Sequence, residues 1–345
     1  MTPIYNQLLI PFLTAMLVAI TMGGSGTAPA FSASYGANVL RKSLIPGLFG
    51  IMVFVGAFVA GKKTAGTMGS GILPAEYMSF TVVSVALFSI AVTMLVSNIS
   101  GIPQSTSQAA VLALAAPALY FGKLDTHSLF YEIIPAWFVL PIVSYFLSYF
   151  CGKYIYQPMR RRGLTIQRAQ NENKRHIWDV VLIIMALYVS FAIGSNNVAN
   201  AAGPLYTMTI NELHIRESDH IVILMLATLI VAPCFGIGAS LFGHKILRNT
   251  GKEIVLFGKF EAVIIAFISG SLLLLASVFK GIPTSLVQVN VAAILGIGVA
   301  KMGHKNIFRK TQVRRFFGMW MIAPIISFVL SLLLIFIADK ANMLH

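Results

Sequence analysis

Apolar runs of about 20 residues, the length that crosses a bilayer, recur along this chain and restrict its fold more than any other feature. In hydrocarbon, backbone N–H and C=O groups must be satisfied inside the segment, so such a chain is expected to fold as packed helices. Spans are expected near residues 5–22 (resuming to 40), 44–60, 80–99, 133–149, 177–193, 221–241, 262–279 and 317–337, with Ala-rich helices to 121 and to 300. This gives five apolar passes per half. Only 10% of residues are charged and the mean hydropathy is +0.82, against roughly 25% charged in a soluble domain. A soluble enzyme with a single anchor is therefore excluded. The first run has no charged leader and no clear cleavage site, and reads as a retained span.

The net charge of +14 would suit nucleic acid if it were clustered on a soluble face. Instead the basic residues sit in short loops between apolar runs, the pattern of cytoplasmic loops in membrane proteins. No nucleic-acid partner is expected; the expected surroundings are lipid. Residues 152–176 form the one long hydrophilic loop, with Lys153, Arg160, Arg161, Arg162, Arg168, Lys174 and Arg175 against Glu172. It reads as a cytoplasmic linker between a first transmembrane repeat, 1–151, and a second, 177–345. Cys151 and Cys234 lie in or beside apolar runs and show no metal-ligand spacing, so no metal is expected.

Internal matches support the division. Gly23-x-Ser25-Gly26-x-Ala28-x-Ala30 aligns with Gly194-x-Asn196-Asn197-x-Ala199-x-Ala201 at an offset of 171. Gly56-Ala57-x-x-x-Gly61-x-Lys63 aligns with Gly238-Ala239-x-x-x-Gly243-x-Lys245 at 182, and Gly101-Ile102-Pro103-x-Ser105-x-x-Gln108 with Gly281-Ile282-Pro283-x-Ser285-x-x-Gln288 at 180. Equivalent loops differ in charge. Residues 301–315 carry Lys301, Lys305, Arg309, Lys310, Arg314 and Arg315, whereas 122–132 carry Lys123, Asp125 and Glu132. The positive-inside rule then puts equivalent loops on opposite faces, with both termini outside and the central loop inside; Lys62 and Lys63 dissent. The expected fold class is an all-α polytopic membrane protein of two inverted-topology repeats with broken or re-entrant helices, the plan of secondary transporters.

Four polar interruptions, at 23–29, 101–108, 194–204 and 281–288, are expected to break spans and start new helix segments. Such N-termini offer free N–H groups and partial positive charge to an anion. Ser25, Thr27, Ser105, Thr106 and Ser285 add hydroxyls, and Asn196, Asn197 and Asn200 add amides, so an oxyanion could be held without buried Arg. Each residue alone reads equally as a packing or capping residue. His127, His176, His214, His220, His244, His304 and His345 all lie in or beside loops, and no acid, metal-ligand or nucleophile constellation falls inside a span, so the chain is not expected to be an enzyme.

At these residues the chain resembles the inorganic phosphate transporter (PiT) family, whose signature reads G-A-N-D-V-A-N-A in both halves, followed by a G-x-P-V-S-T-T-H-like motif. Gly194-Ser195-Asn196-Asn197-Val198-Ala199-Asn200-Ala201 matches the first closely; Gly101–Gln108 matches the second well and Gly281–Gln288 in part. The resemblance covers nearly the whole chain. It implies secondary transport of a tetrahedral oxyanion, with Ser25, Gly26, Thr27, Gln104, Ser105, Thr106, Asn196, Asn197, Asn200, Thr284 and Ser285 as the substrate-binding set.

The chain departs from the family at the signature aspartates, which become Asn197 and Gly26, and at signature asparagines, which become Ser25 and Pro29. Phosphate near neutral pH carries a proton that a carboxylate can accept. Sulfate has none, so a facing carboxylate would be an unpaired acceptor beside a dianion. The substitutions therefore favour sulfate, and Gly23–Ala30 followed by Tyr35-Gly36 resembles the family's sulfate permease (CysP-type) branch.

Moving a dianion inward against the membrane potential costs about 2.3 kcal/mol per charge per 100 mV, so a coupling cation is expected. With anionic Na⁺ ligands depleted, a proton is preferred, and Asp179 and Glu261 are its candidate carriers, each also readable as a helix-end residue. The expected location is the bacterial cytoplasmic membrane, with no cofactor beyond the coupling ion and a homodimer left open. The alternatives are a phosphate symporter of the same family and, in another class, an anion channel.

Overall fold

The computed structural model describes residues 4–100, 104–162, 172–244, 247, 258–309 and 311–344. Gly101–Pro103, Arg168, Lys245 and Lys310, used in the sequence argument, lie outside the described residues. Helix is the only regular structure among those that are described. In order, the helices are α1 (Ile4–Gly36), α2 (Ile45–Ala60), α3 (Lys62–Ser70), α4 (Phe80–Ser100), α5 (Thr106–Tyr120) and α6 (Ser128–Arg161). After the linker come α7 (Glu172–Asn197), α8 (Ala199–Leu213), α9 (His220–Gly238), α10 (Lys259–Lys280), α11 (Leu286–Met302), α12 (His304–Phe308) and α13 (Thr311–Lys340).

The ten expected passes divide into eight helices long and apolar enough to cross a bilayer, among the described residues, and two shorter apolar ones, α5 and α11. Two of the four expected breaks are not breaks. α1 runs through Gly23–Pro29 as one helix of 33 residues. At 194–204 the helix is interrupted only at Val198, which keeps right-handed helical angles. Pro29 and Pro204 each remove one intrahelical hydrogen bond, from the carbonyls of Ser25 and Asn200, but neighbouring helices support the remaining turns. The basic linker is also shorter than expected, because α6 continues to Arg161 and α7 resumes at Glu172.

The glycines that suggested breaks serve close packing instead. A methyl on Gly23 would strike the Phe235 carbonyl, and one on Gly238 the Ile20 carbonyl, so α1 and α9 touch backbone to backbone. Gly194 stands in the same way against the Val53 carbonyl and Gly56 against Phe191, joining α7 to α2. Small residues allow this approach in lipid, where the apolar effect gives helices no reason to associate. The second seam is the first at the repeat offsets of 171 and 182. Each half's first helix thus packs on the other half's second helix.

Other contacts recur in the same register. α4 lies on α1 and α5, as α10 lies on α7 and α11; α5 packs on α13, as α11 packs on α6. Ser327 Oγ donates to the Ala109 carbonyl at 3.0 Å, and Ser144 Oγ to the Val289 carbonyl at 2.8 Å, bracing α5 and α11 in corresponding places.

Two ends of the bundle are fixed by contacts between helix termini. At one, Tyr120 donates to Asp339 (2.7 Å), Thr81 to the Met343 carbonyl (2.7 Å) and the Phe80 amide to Glu212 (3.1 Å). At the other, Gln157 reaches the Ala300 carbonyl, Lys301 pairs with Glu261 and Lys259 with Asp179. This second end also carries Arg160, Arg161 and Arg162 and is called the basic end below.

Candidate functional site

α5 and α11 begin at one place in the interior. Gln108 Nε2 donates to Gln288 Oε1 at 3.1 Å, and Gln288 Nε2 returns a bond to Gln108 Oε1 at 2.8 Å. From this reciprocal pair α5 runs to Tyr120 at the end opposite the basic one, and α11 runs to Ala300 at the basic end. Each starts on a serine cap, since Ser105 and Ser285 hydroxyls accept from the Gln108 and Gln288 amides, both at 3.3 Å. Capping satisfies one orphan N–H per helix and leaves the others directed at the shared point. Two positive helix ends therefore converge between the halves.

The asparagines of 194–201 close around these tips. Asn196 Nδ2 donates to Ser277 Oγ (2.8 Å) and the Ile282 carbonyl (3.0 Å), while its Oδ1 accepts from the Thr284 amide (3.1 Å) and Ser107 Oγ (3.4 Å). Asn197 Nδ2 donates to Thr106 Oγ1 (3.1 Å) and Asn200 Nδ2 to Ser107 Oγ (3.2 Å). Asn196 is thus saturated and holds the second-half tip, whereas Asn197 and Asn200 are half-used. Their Oδ1 atoms, Gln104 Nε2 and Thr284 Oγ1 are buried and have no hydrogen-bond partner in the protein. A buried unpaired polar group costs about 1–3 kcal/mol, so several around two helix tips mark a place built for a ligand. An amide's oxygen and nitrogen have the same shape. Turning the Asn197 amide over would let Thr106 donate to it and leave a free N–H donor. The same amides can therefore meet an anion or a cation.

The residues expected to bind substrate fall into two groups. Gln104, Ser105, Thr106, Asn196, Asn197, Asn200, Thr284 and Ser285 belong to the tips and the helix that clasps them, and all are buried. Ser25 and Thr27 are buried too, but donate to their own helix, to the Met22 carbonyl at 3.1 Å and the Gly23 carbonyl at 2.7 Å. A Cβ on Gly26 would meet Phe49 and Ile193, apolar packing partners. With their protons committed, Ser25 and Thr27 have no donor left for an oxyanion.

Sequence reading missed Ser107, Gln108, Gln288, Ser277 and Asn98. The first three stood inside quoted motifs, and Ser277 recurs as Ser97 at the 180 offset. Asn98 was a lone amide in an apolar run; its Nδ2 donates to the Thr21 carbonyl at 2.7 Å and its Oδ1 has no partner.

Asp179 pairs with Lys259 at the basic end. Glu261 is fully buried, pairs with Lys301 at 2.5 Å and accepts the Gly258 amide in a capping position. Both carboxylates thus have helix-end partners. Lys63, exposed, donates to the Phe279 carbonyl at 3.4 Å. A cavity of about 180 Å³ opens between α1, α7, α10 and α11, lined by Pro29, Ser34, Lys259, Ala262, Asn290 and Ile294 among others. None of the expected substrate residues lines it. Among the described residues no group of His, Cys, Asp or Glu could hold a metal ion.

The model of the phosphate transporter family matches residues 22–331. The sulfate permease CysP of Bacillus subtilis is 30% identical over 97% of this chain and 89% of its own length. A relative from Methanocaldococcus jannaschii with a provisional phosphate permease name is 24% identical over 94% of this chain and 96% of its own. A solved structure of a sodium-dependent phosphate transporter superposes with a TM-score of 0.83 at 18% identity, over 97% of this chain and 99% of that one. At that identity the likeness carries the fold.

Proposed function

We propose, from the premise that this chain belongs to the phosphate transporter family, that it is a permease importing sulfate by cation symport. The chain is a multi-pass membrane protein, and its relatives are transporters and permeases, not enzymes. The observation that carries the choice of anion is the absence of a carboxylate from the expected substrate residues around the tips. Asn197 stands where the family signature has an aspartate, and every polar group there is neutral. Neutral donors and helix N-termini suit a dianion that has no proton to offer. The 30% identity with a sulfate permease over nearly the whole chain agrees with this choice.

In this reading residues 1–151 and 177–345 are inverted repeats, the basic end faces the cytoplasm of a bacterium, and the tips lie near mid-membrane. The opposite directions of α5 and α11 from one hydrogen-bonded start support the inversion. Coupling to a proton is the primary reading, with Asp179 and Glu261 as carriers at the basic end. A second reading, coupling to Na⁺, is favoured by the unpartnered carbonyl oxygens of Asn98, Asn197 and Asn200, since hard cations take oxygen ligands.

The test is uptake of labelled sulfate into proteoliposomes with phosphate as competitor, under an imposed proton or sodium gradient. Sulfate uptake indifferent to phosphate is expected, and phosphate uptake blocking sulfate would overturn the assignment. The gradient that accelerates uptake identifies the cation. Trans-acceleration by unlabelled sulfate is expected of a carrier and is not given by a channel.

A further inference from the structure

Gln108 and Gln288 are the same residue at the offset of 180, one in the first turn of α5 and the other in the first turn of α11. Each amide gives one N–H and accepts one, at 3.1 and 2.8 Å, so the two close a ring of hydrogen bonds. Both side chains are buried. Turning both amides over gives the same ring again, and the ring carries no charge. Packing alone does not explain it. α5 lies on α4 and α13, and Ser327 and Ser331 of α13 donate to its carbonyls at 3.0 and 2.7 Å. α11 lies on α10 and α6, and Ser144 of α6 donates to it at 2.8 Å. The two short helices are thus held by different neighbours, and two apolar side chains would fill the contact between their starts without desolvating two amides. What the reciprocal pair adds is a fixed distance and direction from one tip to the other. Asn196 adds an indirect link, accepting from Ser107 Oγ of one tip (3.4 Å) and from the Thr284 amide of the other (3.1 Å).

We infer that Gln108 and Gln288 are positioning residues, whose reciprocal bond sets the spacing of the two tips so that both helix starts act on one anion. This deepens the transport reading and rests on it. The partial positive charge of a helix start acts over about one turn. A site that draws on two such starts works only while both stand at one point, and the amide ring ties that point to both helices. The two glutamines act through Ser105, Ser285 and the tip amides and need no contact with the anion. Because the ring is reciprocal, removing either partner undoes it equally.

Methionine is unbranched and close to glutamine in size, so it removes the amide and keeps the volume. The experiment compares Gln108→Met and Gln288→Met, singly and together. Thermal stability, membrane expression, and the KM and maximal rate of sulfate uptake into proteoliposomes are read on the same preparations. Each single variant strands one buried amide and should lose stability and about tenfold in uptake. The double variant strands none, so its stability should return. Its uptake should stay as low as that of the single variants, through a raised KM, because nothing directional joins the tips. Stability and uptake returning together would make the pair a packing contact and overturn the inference, as would unchanged uptake in both single variants. Gln108→Glu keeps the test open if the methionine variants do not fold. Protonated, its carboxyl donates to Gln288 Oε1 and accepts from Gln288 Nε2, which closes the ring; ionised, it has no proton to give. Uptake by Gln108→Glu, relative to the unaltered protein at the same pH, should therefore climb about tenfold as the pH falls from about 8.5 to about 5.5. A ratio flat over that range would overturn the inference. An unaltered protein that takes up neither sulfate nor phosphate would overturn the transport reading instead.

Discussion

The stretches 23–30 and 194–201 occupy the same place in the repeat and carry the same glycine seam, yet they differ in chemistry. In α1 the helix is continuous and its hydroxyls bond to the turn below. In α7–α8 the asparagines leave their own helix and reach Thr106, Ser107, Ser277 and the Ile282 and Thr284 backbone. The glycine seam is the same in both stretches, whereas amides that reach other helices stand only in the second. A helix retains its side-chain protons when the side chain is a short hydroxyl that can reach a carbonyl three or four residues back. An asparagine amide extends farther and projects into the space between helices. The difference between Ser25 and Asn196, equivalent positions, is therefore a difference between local and long-range bonding.

The comparison breaks most sharply at Asn196, which holds four groups of the second tip and its surroundings. Asn196→Ala leaves the Thr284 amide and the Ile282 carbonyl without this partner. At about 1–3 kcal/mol for each stranded group and 1.4 kcal/mol per tenfold, sulfate uptake should fall about 100-fold. Retained uptake would mean the clasp is dispensable. Asn197→Asp comes next: a carboxylate beside a dianion should reduce sulfate uptake about tenfold or more, through a loss of at least about 1.4 kcal/mol in binding. Phosphate, which has a proton to share, should become a better competitor than in the unaltered protein. Unchanged selectivity in the competition assay would remove the argument for sulfate from this residue.

The fold was legible because membrane helices declare themselves by length and composition. The helical architecture of the described residues and the likeness of Ser105–Gln108 to Ser285–Gln288 were readable from apolar runs and offsets. The 23–29 break was misread because Gly, Ser and Pro have two uses in lipid. They end a helix where water can receive its backbone, and they let two helices touch where none can. Gly23 against Phe235 is the second use. The site was legible down to Asn197 and Thr106, which stood in motifs. Asn98 and the Gln108–Gln288 pair depend on which helices face one another, and a linear pattern does not encode that.

The serine caps test whether the two tips matter equally. Ser105→Ala and Ser285→Ala each remove a cap of about 1 kcal/mol, which predicts roughly fivefold slower uptake in each with normal expression. Equal losses would mean the two tips contribute alike, as their identical 3.3 Å capping bonds suggest. A loss confined to one would assign the anion to that tip, and no loss in either would return both serines to packing.

The smallest expected effect lies in α1, and it sharpens the comparison from the other side. Ser25→Ala and Thr27→Ala delete hydroxyls whose protons already serve the Met22 and Gly23 carbonyls. Those carbonyls also lie within the helix ladder, so removing an extra hydroxyl bond strands no group, and uptake should change by less than about twofold. Initial rates of sulfate uptake normalised to membrane expression give the answer. A tenfold loss at Ser25 would mean that its hydroxyl turns to the substrate during transport, and the first-half motif would join the second as a ligand. Ser25→Asn asks the converse, since it gives α1 the amide that its counterpart Asn196 uses. If reach alone separates the two halves, this substitution should create a contact to the first-half tip and alter uptake more than Ser25→Ala does. An effect no larger than that of the alanine variant would locate the difference in the surrounding packing and not in the side chain.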